Sequence, residues 1–351
     1  MLQGLQYVPL LYAKRAELRA LNRLDKLTRD SIFPIVAVRP WPNAKQLEAI
    51  YPRLKEALSD YRYGLDLDRH KRGKIGLEPV SSQFEALFDP LNGFSNYYDL
   101  VGEDSNRIPV LRDCDGMYVD LQRQFDRIDA LHNGVIIRLQ KGCCEDLTSV
   151  IESGRLIADD ILFAVDVGWS LDVIAQEMWA SQMISKITDW DPTAEIVCLS
   201  SSFPNSFTHI EYRGTFSIDD RDLFDRLVRR HNSARLVYGD WGSTRRSEEQ
   251  GGGTHYDRID TAKAGEWVSF RQTDEESGYQ IVAKRTIADP QWTTLPTCWG
   301  KHVIECTALD IPGKIKGTEA AISSRINMHI TAQANVGVTA PPPDEPYLDP
   351  F

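Results

Sequence analysis

Along the first 242 residues, short apolar or β-branched runs alternate with segments whose apolar residues recur at helical spacing. The runs are YVPLLYAK (7–14), IFPIVAVRP (32–40), YGLDLD (63–68), RIPVLRDCD (107–115), GVIIRLQ (134–140), ILFAVDVGW (161–169), EIVCLSSSFP (195–204) and ARLVYGDWG (234–242). Most are apolar on both faces, as parallel strands covered on each side are. Between them lie Leu18, Leu21 and Leu24, then Leu47, Ile50, Tyr51, Leu54 and Leu58, then Leu121, Phe125, Ile128 and Leu131, and later Ile174, Met178 and Trp179. Each set falls on one helix face. The alternation predicts an α/β fold, a (β/α)8 TIM-like barrel spanning 1–242. An open doubly wound sheet would begin with a Gly-rich turn, but here the first run leads into AKRAEL.

Beyond residue 242 the rhythm changes. Residues 243–258 are polar and Gly-rich and read as a loop. WVSFRQ and YQIVAKRT, separated by TDEESG, read as a β-hairpin. A short helix is predicted within 289–306, and RINMHITAQ (325–333) alternates polar and apolar residues as a strand does. Residues 243–335 are thus expected to form a C-terminal extension packed on the barrel. The Pro-rich tail, 336–351, is expected to lack regular structure.

Composition narrows the function. Forty Lys and Arg against 51 Asp and Glu leave a net charge of −11, which repels polyanions at long range. Non-specific nucleic-acid binding is therefore not expected. No stretch approaches the roughly 18 apolar residues of a membrane span, and the first residues lack the basic start and cleavage site of a secretion signal. A cytoplasmic protein with reduced cysteines and no membrane partner is expected, since Cys114, Cys143, Cys144, Cys198, Cys298 and Cys306 show no C-x-x-C spacing.

The C-terminal ends of barrel strands form the functional face of such folds. Here they carry Lys14, Arg39, Asp66, Asp68, Asp113, Asp115, Arg138, Asp166, Ser202 and Asp240. Charges on buried strands are costly unless paired or used. Arg39, Asp66 or Asp68, Arg138, Asp166 and Asp240 are expected to meet around one mouth, either holding an anion with carboxylates beside it or neutralising one another. Lys14, Asp66, Asp166 and Asp240 are the catalytic candidates. Lys14 stands where barrel enzymes carry a Schiff-base lysine, although GDWG is the one Gly-containing motif near the last strand that could take a phosphate. Asp66, Asp166 and Asp240 are weak candidates for Mg²⁺ or Mn²⁺ ligands in phosphodiester hydrolysis. SSSFP lacks a G-x-S-x-G context, and the histidines show no zinc spacing. Trp41, Trp169 and Trp241 either stack a ligand ring or plug the barrel. Arg325, Asn327 and His329 share one face if RINMHITAQ is a strand, and could close over the mouth. Lys14, Arg39, Asp68, Arg138, Ser202, Trp241, Arg325 and His329 are the ligand-binding candidates. The sequence designates no cofactor.

Several of these segments carry a wider likeness. YVPLLYAKRAELRAL with Lys14 and Glu17, FPIVAV (33–38), the DLD of the third strand, the Arg138 and Asp166 strands, SFP (202–204), GDWG and Arg325-x-Asn327-x-His329 together resemble the "protein beta" family of phages, phage satellites and bacterial defence islands. The resemblance spans nearly the whole chain. It implies a cytosolic component of an antiphage defence or toxin-control cassette that neutralises a killing protein encoded beside it. Its partner would be that companion toxin or effector, or a nuclease-like protein of the same locus, and the charged barrel mouth would bind the companion or sense a phage-derived ligand. The resemblance brings no catalytic residues. Trp241, where another aromatic such as Tyr is expected, bears only on ring contacts. Two other functions fit the charged mouth: a metal-dependent phosphodiesterase or nucleotide hydrolase, and a nucleotide-signal sensor without turnover.

Overall fold

The computed structural model describes residues 4–69, 78–112, 118–141, 147–152, 161–244, 256–272 and 278–337. Asp113, Asp115, the GGG of 251–253 and the tail from 338 lie outside them.

All eight predicted runs contain strands: β1 (Tyr7–Tyr12), β2 (Ile35–Val38), β3 (Tyr63–Leu67), β4 (Arg107–Pro109), β5 (Val135–Gln140), β6 (Ile161–Trp169), β7 (Glu195–Ser201) and β9 (Arg235–Asp240). They form one all-parallel sheet in the order β4-β3-β2-β1-β9-β7-β6-β5. A parallel bridge from Val110 to Ile136 joins its two edges. The fold is therefore a TIM-like barrel. Residues two apart on each strand point inward, and Val8, Leu10, Ile35, Ile108, Ile136, Leu162, Val197 and Trp241 fill the interior. Gly64 leaves room for its neighbours there, since a Cβ at that position would lie 2.4 Å from Ile136 Cδ1.

Helices cover the outside: α1 (Arg15–Asn22), α2 (Lys26–Asp30), α3 (Tyr51–Leu58), α4 (Val80–Ala86), α5 (Ser95–Gly102), α6 (Tyr118–Leu131), α7 (Leu147–Glu152), α8 (Val173–Trp190) and α9 (Asp219–Arg230). Leu54, Leu58, Leu121, Phe125 and Ile128 are buried as their spacing predicts. On α8 the outcome differs. Trp179, Met183, Ile184 and Ile187 face the barrel, while Ile174 and Met178 are exposed.

A second, antiparallel sheet has the order β10-β11-β8, formed by β8 (Arg213–Ser217), β10 (Arg258–Ala262) and β11 (Glu266–Arg271). Its β8 comes from the connection between β7 and α9, inside the barrel's own span. WVSFRQ is the strand β11, as predicted, but its hairpin partner is β10, which begins at Arg258 where the stretch read as loop ends. YQIVAKRT is a helix, α10 (Tyr279–Ile287). It buries Val282, Ala283 and Thr286, a helical interval, so its apolar period is that of a helix. The helix expected within 289–306 begins later, as α11 (Trp299–Leu309).

RINMHITAQ is likewise a helix, part of α12 (Thr318–Ala334). This helix packs against α1, α11 and β10 and also touches β1. Every residue from Ser323 to Ala334 is buried. A helix enclosed on all sides has no solvent face, so its polar residues need not follow the 3.6-residue period. Their alternation then resembles a strand. Among the described residues no helix is long and apolar enough to cross a membrane.

The crossing of α11 and α12 sets how closely this extension packs. A Cβ at Gly300 would stand 2.2 Å from Ser324 O, a backbone atom that cannot rotate away. Gly300→Ala is expected to part the two helices and cost about 1–3 kcal/mol, read as a lower urea midpoint with an unchanged slope.

Candidate functional site

The inward parity of the strands continues at their C-terminal ends, where apolar residues give way to charge. Asp66 on β3, Arg138 on β5 and Asp166 on β6 follow the inward residues of their strands, and Arg112 follows Ile108 and Val110. Arg138 lies between the two carboxylates. Its Nη1 donates to Asp66 Oδ2 (2.6 Å) and its Nε to Asp166 Oδ2 (2.9 Å), with a further short bond from Nη2. Arg112 Nη1 and the Leu67 amide donate to Asp66 Oδ1, each at 2.7 Å. Asp166 Oδ1 accepts from the Gly168 amide (3.0 Å) and Trp241 Nε1 (3.1 Å). All four lone-pair sites of Asp166 and at least three of the four on Asp66 are therefore occupied. Burial pushes the Asp66 carboxyl up, but the guanidiniums of Arg112 and Arg138 outweigh it and hold it well below the usual carboxylate range. Trp241 is an interior plug tied to Asp166 rather than an open stacking surface.

Around this floor runs a rim. Lys14 Nζ lies 3.9 Å from Glu17 and 4.8 Å over the Tyr12 ring, and Arg39 Nη1 lies 3.5 Å from Asp68. Arg325 reaches in from α12, its guanidinium 4.2 Å over the Phe203 ring and its Nη1 3.1 Å from Asp260 Oδ2. Burial raises the Glu17 carboxyl despite Lys14 and Arg39. Glu17 Oε2 and Arg325 Nε are buried without a hydrogen-bond partner.

Comparison with known proteins places this architecture. The family model described as Beta protein matches residues 7–335. The chain belongs to the Beta protein family. It is 26% identical over 344 residues to Protein beta of Enterobacteria phage P4, covering 94% of this chain and 93% of that protein. No solved structure matches.

In this member of the Beta protein family, Asp240 does not join Asp66 and Asp166. It points out of the barrel, as does Tyr238 two residues before it on the strand, toward α12. Its carboxylate accepts from Tyr7 OH, from Tyr238 OH (2.8 Å), from the Gly242 amide (2.7 Å) and from His329 Nε2 (2.7 Å). Burial raises the Asp240 carboxyl, but His329 and the other donors outweigh it and hold it below its ordinary range. Trp267 Nε1 can only donate, and it lies 3.3 Å from His329 Nδ1, so the imidazole proton sits on Nε2 and points at Asp240. The three carboxylates weighed as a metal site thus lie on two faces of the barrel wall. Among the described residues no three His, Cys, Asp or Glu come together in a cation-holding group.

The motif Arg325-x-Asn327-x-His329 splits because it is helical. Arg325 and His329, one turn apart, share a face. Asn327 turns away, accepting from the Gly300 amide (2.9 Å) and donating to Ala20 O (3.1 Å). Ser202 also leaves the mouth. Its hydroxyl donates to Asp220 Oδ2 (2.8 Å) and accepts from the Asp219 amide (3.1 Å), anchoring the start of α9. Trp169 Nε1 donates to Phe203 O (2.8 Å), and Trp41 lies half-buried below Arg15 and Arg53. Arg112, Asp220, Asp260 and Tyr7 are not among the residues that sequence patterning singles out for the mouth. Arg112 was findable, because the alternation Ile108, Val110, Arg112 selects it as the inward residue. The others depend on tertiary neighbours.

Asp66→Asn removes an anion shared by two buried guanidiniums and is expected to cost about 3 kcal/mol at neutral pH. Because the Asp66 carboxyl is held low when folded, its contribution is present above the ordinary carboxylate value of about 3.9 and lost below it. Urea titration of the variant should show a weaker stability loss on acidification. Asp220 is the opposite case. Burial, together with Asp240, pushes its carboxyl up to about 6, so its contribution is full below the unfolded value and lost as pH rises to about 6. Asp220→Asn should therefore flatten the decline in stability between about pH 4 and 6, measured by the same titration.

Proposed function

We propose that this Beta protein family member is a binding component of an antiphage defence or toxin-control cassette. Its barrel mouth engages a companion effector or a phage-derived ligand without transforming it. Kinship with a phage protein supports the phage connection. The observation that carries the binding role is the occupancy of Asp66 and Asp166. Carboxylates whose lone pairs are filled by Arg138, Arg112, Trp241 and backbone amides have little capacity left to take a proton from a substrate or ligate a metal. The metal-dependent hydrolase is therefore the weaker reading. A net charge of −11 also suits masking of a basic, nucleic-acid-binding surface on the companion.

The test is co-expression with the product of the adjacent gene. The two chains are expected to co-purify, and this chain to relieve the growth arrest caused by its companion. Arg39→Gln, at the partly exposed rim, should weaken both effects while the chain still folds, its melting temperature falling only by what the lost pairing with Asp68 costs. Absence of both co-purification and rescue with the unaltered pair would overturn the reading.

A further inference from the structure

The ion pairs of the mouth share one orientation. In Lys14–Glu17 the cation keeps 33% side-chain exposure and the carboxylate 2%. In Arg39–Asp68 the values are 17% and 3%. Arg138 keeps 12%, while Asp66 and Asp166 keep 2% and 0%. The carboxylates lie beneath and the cations form the outer layer. An arriving molecule meets a cationic surface set in a chain that is acidic overall.

Within the same rim, Glu17 Oε2 and Arg325 Nε are buried and unpaired. They are 2% and 5% exposed, and each feels the other's charge. Buried polar atoms are ordinarily satisfied, so an unused acceptor and an unused donor on the same rim mark a place where a second molecule completes the bonding. Such a molecule needs an anionic group for Lys14 and Arg39, an O–H or N–H for Glu17, and an acceptor for Arg325. Phosphate fits the cations best, since guanidinium matches its geometry and it carries up to two charges. A nucleic-acid polymer fits poorly, because the chain's net charge repels it.

We infer that the mouth binds a small phosphorylated compound bearing a free hydroxyl or amine, such as a nucleotide or sugar phosphate. The phosphate rests on Lys14 and Arg39, and the hydroxyl or amine donates to Glu17. This rests on the mouth being the binding site, and it specifies what occupies it.

Calorimetric titration of the full chain tests it with nucleoside monophosphates, glucose 6-phosphate, inorganic phosphate, and the parent nucleosides and glucose. At least one phosphorylated probe is expected to bind, with its unphosphorylated parent about tenfold or more weaker. Lys14→Ala and Arg39→Ala should each weaken it by about tenfold, with binding falling as salt rises. Glu17→Gln should weaken the hydroxyl-bearing phosphates and not inorganic phosphate, a split that a folding defect cannot produce. Melting curves of each variant check the fold. The inference is overturned if no phosphorylated probe binds at millimolar concentration, or if parents bind as well as their phosphates. Co-purification with a companion alongside no phosphate binding would sink this inference and leave the cassette reading standing. The reverse result would sink the cassette reading alone.

Discussion

A carboxylate sealed inside a protein has to be surrounded by donors, and Asp240 is the one on which this architecture turns. Its donors come from the first strand of the barrel, from its last strand and from the last long helix. No single element could satisfy it. Trp267 extends the chain of contacts to the small sheet by stacking on His329, with ring centroids 5.7 Å apart. Barrel closure, placement of α12 and docking of the antiparallel sheet are thus three aspects of one solvation problem. Arg221 supports the same spot, its guanidinium 3.4 Å over the Tyr238 ring.

The mouth depends on this anchoring at one remove. Arg325 precedes His329 by one helical turn, so fixing His329 against Asp240 carries Arg325 to the rim, where Asp260 and Phe203 hold it. The barrel supplies the floor of Asp66, Arg138 and Asp166, and the extension supplies part of the wall. Neither part alone makes the ionic arrangement. Such networks contribute more to a defined geometry than to net stability, because the desolvation of each ion offsets much of its attraction.

The barrel was legible because its eight strands are buried on both faces and punctuated by amphipathic helices, a pattern carried by local sequence. So was the meeting of Arg39, Asp68, Arg138 and Asp166 at one end, since strand parity is also local. The extension was harder. RINMHITAQ alternates perfectly yet is helical, because a helix walled in on every side is freed from the periodicity that usually reveals it. Asp240 and Trp241 were read together, although adjacent strand residues face opposite ways. Only Trp241 enters the barrel. Arg325 comes to Asp260 from 65 residues further on and to Glu17 from the far end of the chain, and no short window of sequence contains that information.

The hydrogen bond from Asn327 to Ala20 spans 307 residues, and it bears on how the molecule is made. During synthesis, α1 and the outer side of β1 and β9 remain without their cover until α12 has left the ribosome. The nascent barrel therefore exposes an apolar flank, with Tyr7 and Asp240 lacking their histidine, from the completion of β9 until α12 follows. Long-range closure of this kind slows folding and lengthens the interval in which chains can associate wrongly. A host that makes this protein has reason to shield that flank until the final helix arrives.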